Sequence, residues 1–255
     1  MLRKFQEDFR KTTIVFEQES LENIFSILDS KDQKKIAEIN QAKAVSGHYP
    51  YGLHKLLEGE SRYFTLLRDP VNRARSYYSY SLKNEGSKIY QYLKDNNVSF
   101  EQFAEMEKKD IEKSGVHELN YILEDGQSKM IAGEDLLIGD GNTAHLLDIA
   151  EENIAKHFDF VGVTELFDDA FIEINKMLGF SPFSLYITQN KSPVKVTISD
   201  NAHKTLLERN PIDASLHEKY YNELKKTSES IPHQLTRAFV TMGKKAADQY
   251  VKLRS

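Results

Sequence analysis

The stretch that most constrains the fold is residues 63–82, YFTLLRDPVNRARSYYSYSL. Its first five residues, Tyr63–Leu67, carry no charge and are rich in aromatic and aliphatic side chains, which predicts a strand covered on both faces. Asp69 can cap a helix through its carboxylate, and Pro70 suits the first helical position because no N–H is needed there. The stretch therefore predicts a strand that turns directly into a helix.

A strand that opens into a helix N-terminus brings backbone donors and the positive end of the helix dipole to one point, where an anion can bind. Arg68 adds a permanent positive charge at that point. Ser76 follows about two helical turns into the helix, on the same side as Arg73 and Tyr80. This pattern can hold one phosphate between Arg68 and the Ser76 hydroxyl. The alternative is a capped junction in which Arg68 pairs with a carboxylate.

Composition narrows the classes of function. The chain has 255 residues, 29% of them charged, and a net charge of −5, which argues against general binding of nucleic acid or anionic membranes. The absence of cysteine excludes disulfides, thiolate catalysis and cysteine metal sites. No apolar stretch reaches the ~18–20 residues that span a bilayer. We expect a cytoplasmic protein, or the soluble catalytic part of a membrane-anchored enzyme.

Alternation of strand and helix patterns predicts a single α/β domain over residues 1–255, with a parallel sheet flanked by helices and a helix-rich C-terminal half. The predicted strands are 12–16, 42–46, 63–67 and 158–163. The predicted helices are 2–9, 20–28, 31–38, 70–82, 88–95, 100–113, 117–131, 143–157 and 164–178, followed by most of 199–226 and 231–250.

Three finer expectations concern how these elements are used. The polar character of 88–95 and 100–113 predicts peripheral helices. Thr164 is expected to cap the helix 164–178, and capping is also the favoured role of Glu165. In the last helix, Leu235, Phe239, Met242 and Ala246 recur at helical spacing, which predicts a stripe that faces inward.

A second polar segment, SGHYPYGLH at residues 46–54, follows a short predicted strand. Ligands gather at the carboxyl ends of parallel strands, so His48 is expected at the same sheet edge as Arg68. A histidine can act there as a general base, because its ordinary pKa lies near neutral pH. The alternative is a histidine that only bonds to the backbone of a glycine- and proline-rich turn.

The residues LRDPVNRARSYYSY resemble the 3′-phosphate-binding segment of the sulfotransferases, in particular the carbohydrate-type family that includes heparan sulfate 2-O-sulfotransferase and many bacterial relatives. The resemblance implies that Arg68 and Ser76 hold the 3′-phosphate of PAPS (3′-phosphoadenosine 5′-phosphosulfate). It also implies that His48 is the base that deprotonates an acceptor hydroxyl, on a carbohydrate. No metal is implied, since paired-histidine or clustered-carboxylate spacing is lacking in the sequence.

Weaker similarity extends over most of residues 10–250. Residues 125–133, DGQSKMIAG, resemble a family segment in which arginine usually stands at the position of Lys129. Residues 160–165, FVGVTE, resemble a strand-to-helix junction of the family. Residues 189–192, QNKS, resemble an asparagine-rich loop, where Lys191 is expected to reach a phosphate or an anionic acceptor, or else to be a solvated loop lysine.

One family signature is missing, the Pro-Lys-x-Gly-Thr-Thr loop whose N–H groups cradle the 5′-phosphosulfate. Only Lys11, Thr12 and Thr13 match residue types of this loop. The resemblance thus predicts a P-loop-NTPase-like fold that begins after this loop and lacks its central first strand. The alternatives are a catalytically degenerate member that binds a nucleotide or glycan, and a helical interaction protein that does not bind PAP, the desulfated nucleotide.

Overall fold

The computed structural model describes residues 13–15, 44–46, 50–56, 58–116, 118–133, 143–186 and 196–252. Contacts between Cα atoms divide the chain into two compact units, residues 1–62 with 129–153 and residues 63–128 with 154–255. The single domain expected over residues 1–255 stays a prediction. The helices expected at 2–9, 20–28 and 31–38 lie outside the described residues. Among the helices that are described, none combines the length and apolar character needed to cross a bilayer.

The first unit contains a short parallel pair of strands. Strand β1 (Thr13–Val15) pairs with β2 (Ala44–Ser46), and Ile14 lies opposite Val45. Both strands fall within the segments predicted for them, so the strand and parallel-sheet predictions are confirmed here. A 3₁₀ turn, Leu53–Leu56, follows in the chain.

The second unit contains another parallel pair, β3 (Tyr63–Leu67) and β4 (Phe158–Val163), whose bounds are those predicted. Its helices and the remaining helices of the chain are listed here in chain order: α1 Pro70–Ser81, α2 Lys88–Asp95, α3 Phe100–Ala104, α4 Lys108–Ser114, α5 Leu119–Leu123, α6 Gly126–Ala132, α7 Leu146–His157, α8 Phe167–Met177, α9 Asp200–Arg209, α10 Pro211–Ser228 and α11 Ile231–Lys252. Further 3₁₀ turns span Thr143–His145 and Thr164–Leu166. The protein is therefore α/β and rich in helix.

Strand β3 is less covered than its apolar sequence predicts. Leu67 is buried, but Phe64 is 39% exposed. Of the described helices, α8 and α10 pack against β4 and contact β3 far less. The prediction of a strand covered on both faces is therefore wrong for this part of β3.

The core of the second unit includes the helices that were expected at the periphery. Phe103 and Leu93 are buried with Ala74 and Tyr78 of α1, so that prediction is wrong. The helix predicted at 100–113 is also divided, because α3 ends before Glu105 and α4 begins after Glu107. Each short helix turns an apolar side inward, and the polar residues counted in the sequence lie on the opposite side.

The inward stripe predicted for α11 is also wrong. Leu235 is 69%, Phe239 48% and Met242 65% exposed. Ala246 is exposed as well. The opposite side of α11 meets α8 through polar contacts: His233 Nε2 lies 2.8 Å from Asp169 Oδ1, and Thr241 donates to Asp168. The inward side of α11 therefore combines these polar contacts with the fully buried Val240.

The helix predicted at 117–131 is broken between α5 and α6. At the break, the N-terminus of α6 meets the N-terminus of α10. Asp125 accepts backbone hydrogen bonds from Ile212 and Asp213 at the start of α10. In return, the Asp213 carboxylate accepts from the backbone N–H groups of Gln127 and Ser128 at the start of α6. Each aspartate thus caps the other helix and compensates its positive dipole end.

Gly126 is required at this break. A Cβ atom placed on Gly126 would lie 1.8 Å from the carbonyl oxygen of Tyr121, far inside contact distance. The close approach of the two backbones therefore excludes any side chain at this position, and the glycine that weakens a continuous helix is what permits the junction.

Candidate anion-binding site

The junction between β3 and α1 has the local structure that the sequence predicts. Asp69 Oδ1 accepts a hydrogen bond of 2.8 Å from the Asn72 N–H, and Pro70 is the first residue of α1. The Asp69 cap is therefore confirmed. Arg68 lies between the last residue of β3 and this cap, at the carboxyl end of a parallel strand.

The backbone donors expected at this helix start are partly occupied. Asp69 takes the Asn72 N–H, and Glu165 Oε1 accepts from the Asp69 N–H at 3.2 Å. An anion at this junction must therefore be held mainly by side chains. This differs from the sequence argument, which relied on free N–H groups and the helix dipole.

The Arg68 guanidinium has no ion pair and no hydrogen bond to another residue in the described part of the chain. Burial lowers the pKa of Arg68, the Glu165 carboxylate partly offsets this effect, and the charge of Arg75 adds to it. Arg68 remains protonated at neutral pH despite this shift. Among the described residues, Arg68 therefore lacks the carboxylate ion pair of the alternative interpretation, although Glu165 and Asp69 act on it through space.

Three polar residues of α1 follow Arg68 in the chain within two helical turns: Asn72, Arg75 and Ser76. All three side chains are partly exposed. The Ser76 hydroxyl makes no hydrogen bond to another described residue, and Arg75 has no ion pair within that part of the chain. Sequence reasoning missed Arg75, although its place next to Ser76, three residues after Asn72, was a usable signal.

Arg73 was placed on the same side as Ser76 in the sequence analysis, but its side chain is used elsewhere. Its Nη1 donates to the carbonyl oxygen of Tyr121 at 2.5 Å, near the C-terminal end of α5. Burial lowers the pKa of Arg73, and Asp213 acts in the opposite direction. Arg73 is therefore part of the helix packing and not a free cation of the site.

Glu165 does not cap a helix, and neither does Thr164. Helix α8 begins at Phe167 without a side-chain cap, after a 3₁₀ turn. Glu165 Oε2 instead lies 3.0 Å from His217 Nε2. Burial alone would raise the pKa of Glu165, but the hydrogen bonds from His217 and from backbone N–H groups outweigh it, so the pKa is lowered. The capping prediction is wrong because the carboxylate has two long-range partners.

Gln127 holds the backbone of Arg68. The Arg68 N–H donates to Gln127 Oε1, and Gln127 Nε2 donates to the Arg68 carbonyl oxygen, each at 2.8 Å. The sequence analysis noted the segment around Gln127 without assigning this contact. The two residues are 59 positions apart, so no local pattern could have shown it.

The remaining predicted site residues, His48 and Lys191, lie outside the described residues. Their roles as base and anion ligand stay predictions. In the described part of the chain, no group of three histidine or acidic side chains is arranged to hold a metal ion. Arg68 and Arg75, whose charges act on each other, can bind a phosphate by charge and hydrogen bonding. No family model, curated protein or solved structure matches this chain.

Proposed function

We propose that the chain is a sulfotransferase that binds PAPS and transfers its sulfuryl group to a hydroxyl of a carbohydrate acceptor, on a P-loop-NTPase-like fold. Arg68 and Ser76 bind the 3′-phosphate of the nucleotide. The single observation that carries the proposal is the Arg68 guanidinium, which has no ion-pair partner among the described residues and stands at the carboxyl end of a parallel strand.

The charges around Arg68 support a phosphate ligand. Arg75 adds a second positive charge near Arg68. The neighbouring carboxylates are bonded elsewhere, because Asp69 accepts from Asn72 and Glu165 accepts from His217 and Asp69. A dianionic phosphate would give both guanidinium groups a partner, and guanidinium–phosphate hydrogen bonds are among the strongest in proteins. The Ser76 hydroxyl can donate to a further phosphate oxygen.

The proposed reaction is a direct transfer. His48 takes the proton of the acceptor hydroxyl, the acceptor oxygen bonds to sulfur, and the bond between sulfur and the bridging oxygen of PAPS breaks to release PAP. Lys191 is proposed to bind a phosphate of the nucleotide. Catalysis by positioning and charge stabilisation is sufficient for such a transfer, as it is for phosphoryl groups.

The nucleotide site is tested by calorimetric titration of PAP and of 5′-AMP, which lacks the 3′-phosphate. Wild-type protein is expected to bind PAP more tightly than AMP. Arg68→Ala should weaken PAP binding by roughly tenfold or more and remove the preference over AMP, since a charge-assisted contact to the 3′-phosphate is lost. Lys83→Ala removes one exposed positive charge just after α1 and should leave both affinities unchanged.

Equal affinity of the wild type for PAP and AMP, or a PAP affinity unaffected by Arg68→Ala, would refute the site. Transfer is then tested with PAPS and carbohydrate acceptors. His48→Ala should abolish transfer and keep PAP binding. Tight PAP binding without transfer by the wild type would assign the non-catalytic nucleotide-binding alternative.

A further inference from the structure

We propose that Gln127 is a positioning residue for Arg68, so that the affinity for a 3′-phosphorylated nucleotide depends on a side chain that does not touch it. This inference rests on the proposed function. The Gln127 amide exchanges two hydrogen bonds of 2.8 Å with the backbone N–H and carbonyl of Arg68. Such an exchange is what a paired residue on a neighbouring strand supplies.

The need for this contact follows from where β3 and β4 end. The last paired residues are Leu67 and Val163. Arg68 is the next residue after this pair, so the sheet no longer fixes its peptide groups. Gln127 takes the place of a strand partner at this position and holds the Arg68 backbone in register with the end of β3.

The Gln127 side chain is itself fixed by Asp213. Asp213 Oδ2 accepts from the Gln127 backbone N–H at 3.1 Å and from Gln127 Nε2 at 3.2 Å. Asp213 is 1% exposed, so this carboxylate has little freedom to move. A flipped amide would place its oxygen against Asp213 and its NH₂ group against the Arg68 N–H, and the network therefore allows one orientation only.

The direction of the Arg68 side chain depends on this backbone support. Its guanidinium has no side-chain partner among the described residues, so the Cα–Cβ direction and burial of the stem are what place it. A shift of the Arg68 peptide groups would move the guanidinium charge relative to Arg75, whose charge acts on it. Misplacement by about 1 Å is enough to weaken a site strongly. Gln127 therefore contributes to anion binding through Arg68.

The test uses calorimetric titration of PAP into wild type, Gln127→Ala and Gln127→Glu at about pH 8 and about pH 5.5. Gln127→Ala should weaken PAP binding by roughly tenfold at both values. Gln127→Glu keeps the shape of the side chain. At the higher pH its ionised carboxylate cannot donate to the Arg68 carbonyl and faces Asp213, so PAP binding should weaken by a similar factor.

At the lower pH, the introduced carboxyl group is expected to be protonated beside Asp213 and can again donate to Arg68. The ratio of variant to wild-type dissociation constants should therefore fall as the pH falls, and this ratio cancels the titration of PAP itself. A rescue observed while circular dichroism shows the variant folded at both pH values separates positioning of Arg68 from loss of structure. Gln91→Glu makes the same chemical change at an exposed position of α2 and should give a ratio near one at both values.

The outcomes separate this inference from the proposed function. Suppose that wild type binds PAP and that Gln127→Ala, shown by circular dichroism to be folded, binds it equally well. Gln127 is then not a positioning residue, and the nucleotide site stands. A Gln127→Glu ratio that does not change with pH also overturns the inference. If folded wild type does not bind PAP, the proposed function fails and the inference fails with it.

Discussion

Replacing Asp213 by asparagine should lower the free energy of unfolding by about 3 kcal/mol. The Asp213 carboxylate is buried and accepts four hydrogen bonds, two on each oxygen. Oδ2 accepts from the backbone N–H and the Nε2 of Gln127, and Oδ1 accepts from the backbone N–H and the hydroxyl of Ser128. Asparagine keeps one oxygen and replaces the other by an NH₂ group.

The magnitude follows from the two donors that would lose their acceptor. Whichever way the asparagine amide is turned, two N–H or O–H donors face its NH₂ group. A buried donor without a partner costs about 1–3 kcal/mol, which gives roughly 2–6 kcal/mol for two. Gln127 is partly exposed, so its side chain can move and regain a partner, which reduces this sum. We therefore expect a loss of unfolding free energy near the lower end of the range. The lost negative charge near the partly buried Arg73 acts in the same direction.

The assay is urea unfolding followed by circular dichroism, with the free energy taken from linear extrapolation. Asp200→Asn is the matched control, because Asp200 is an exposed acidic residue in the first turn of α9 and makes the same change of charge. The control should lose no more than about 0.5 kcal/mol. A loss below about 1 kcal/mol for Asp213→Asn, or one equal to that of the control, would contradict the reciprocal capping of α6 and α10.

Two further predictions concern Glu165 and the exposed side of α11. Folding lowers the pKa of Glu165. The ionised carboxylate therefore stabilises the protein at pH values above 4.5, its ordinary pKa, and this contribution is lost as the pH falls through the pKa of the folded state. Glu165→Gln should therefore destabilise the protein near pH 7, by an amount that becomes smaller as the pH falls below 4.5, as measured by urea unfolding. Leu235→Gln should change the unfolding free energy by less than about 0.5 kcal/mol, whereas Phe103→Ala should lower it by about 3–5 kcal/mol. A loss above about 2 kcal/mol for Leu235→Gln would mean that α11 buries its apolar side.

Local sequence signals predicted the element bounds well where neighbouring residues decide the structure. The apolar runs of β3 and β4 and the cap of α1 by Asp69 depend on residues within one turn or one strand. The break after Ala104 was not predicted, and in the helix predicted at 117–131 the sequence indicated only a weak point at Gly126, because both segments keep an apolar helical pattern across the break. Only the packing of short helices around α1, and the contact of Gly126 with Tyr121, require the chain to turn there.

The candidate site shows the same division. The spacing of Arg68 and Ser76 in the sequence predicts that they share one side of the strand–helix junction, and this stays a prediction. The partners of Arg68 and Glu165 do not follow from spacing: Gln127 is 59 positions from Arg68, and His217 is 52 positions from Glu165. A side-chain hydrogen bond between distant residues produces no periodic pattern in the sequence, so these contacts could be identified only in the structure.

The sequence alone determined that a strand ends at Leu67, that a capped helix begins at Pro70 and that Arg68 stands between them. These features depend on short-range sterics and hydrogen bonding, which adjacent residues control. Tertiary structure decided that the Arg68 charge has no ion-pair partner among the described residues, that its backbone is held by Gln127, and that the apolar side of α11 is exposed. Those outcomes depend on where distant charged groups such as Asp213 and Asp169 are fixed, since a buried charge must find its partners wherever the chain brings them.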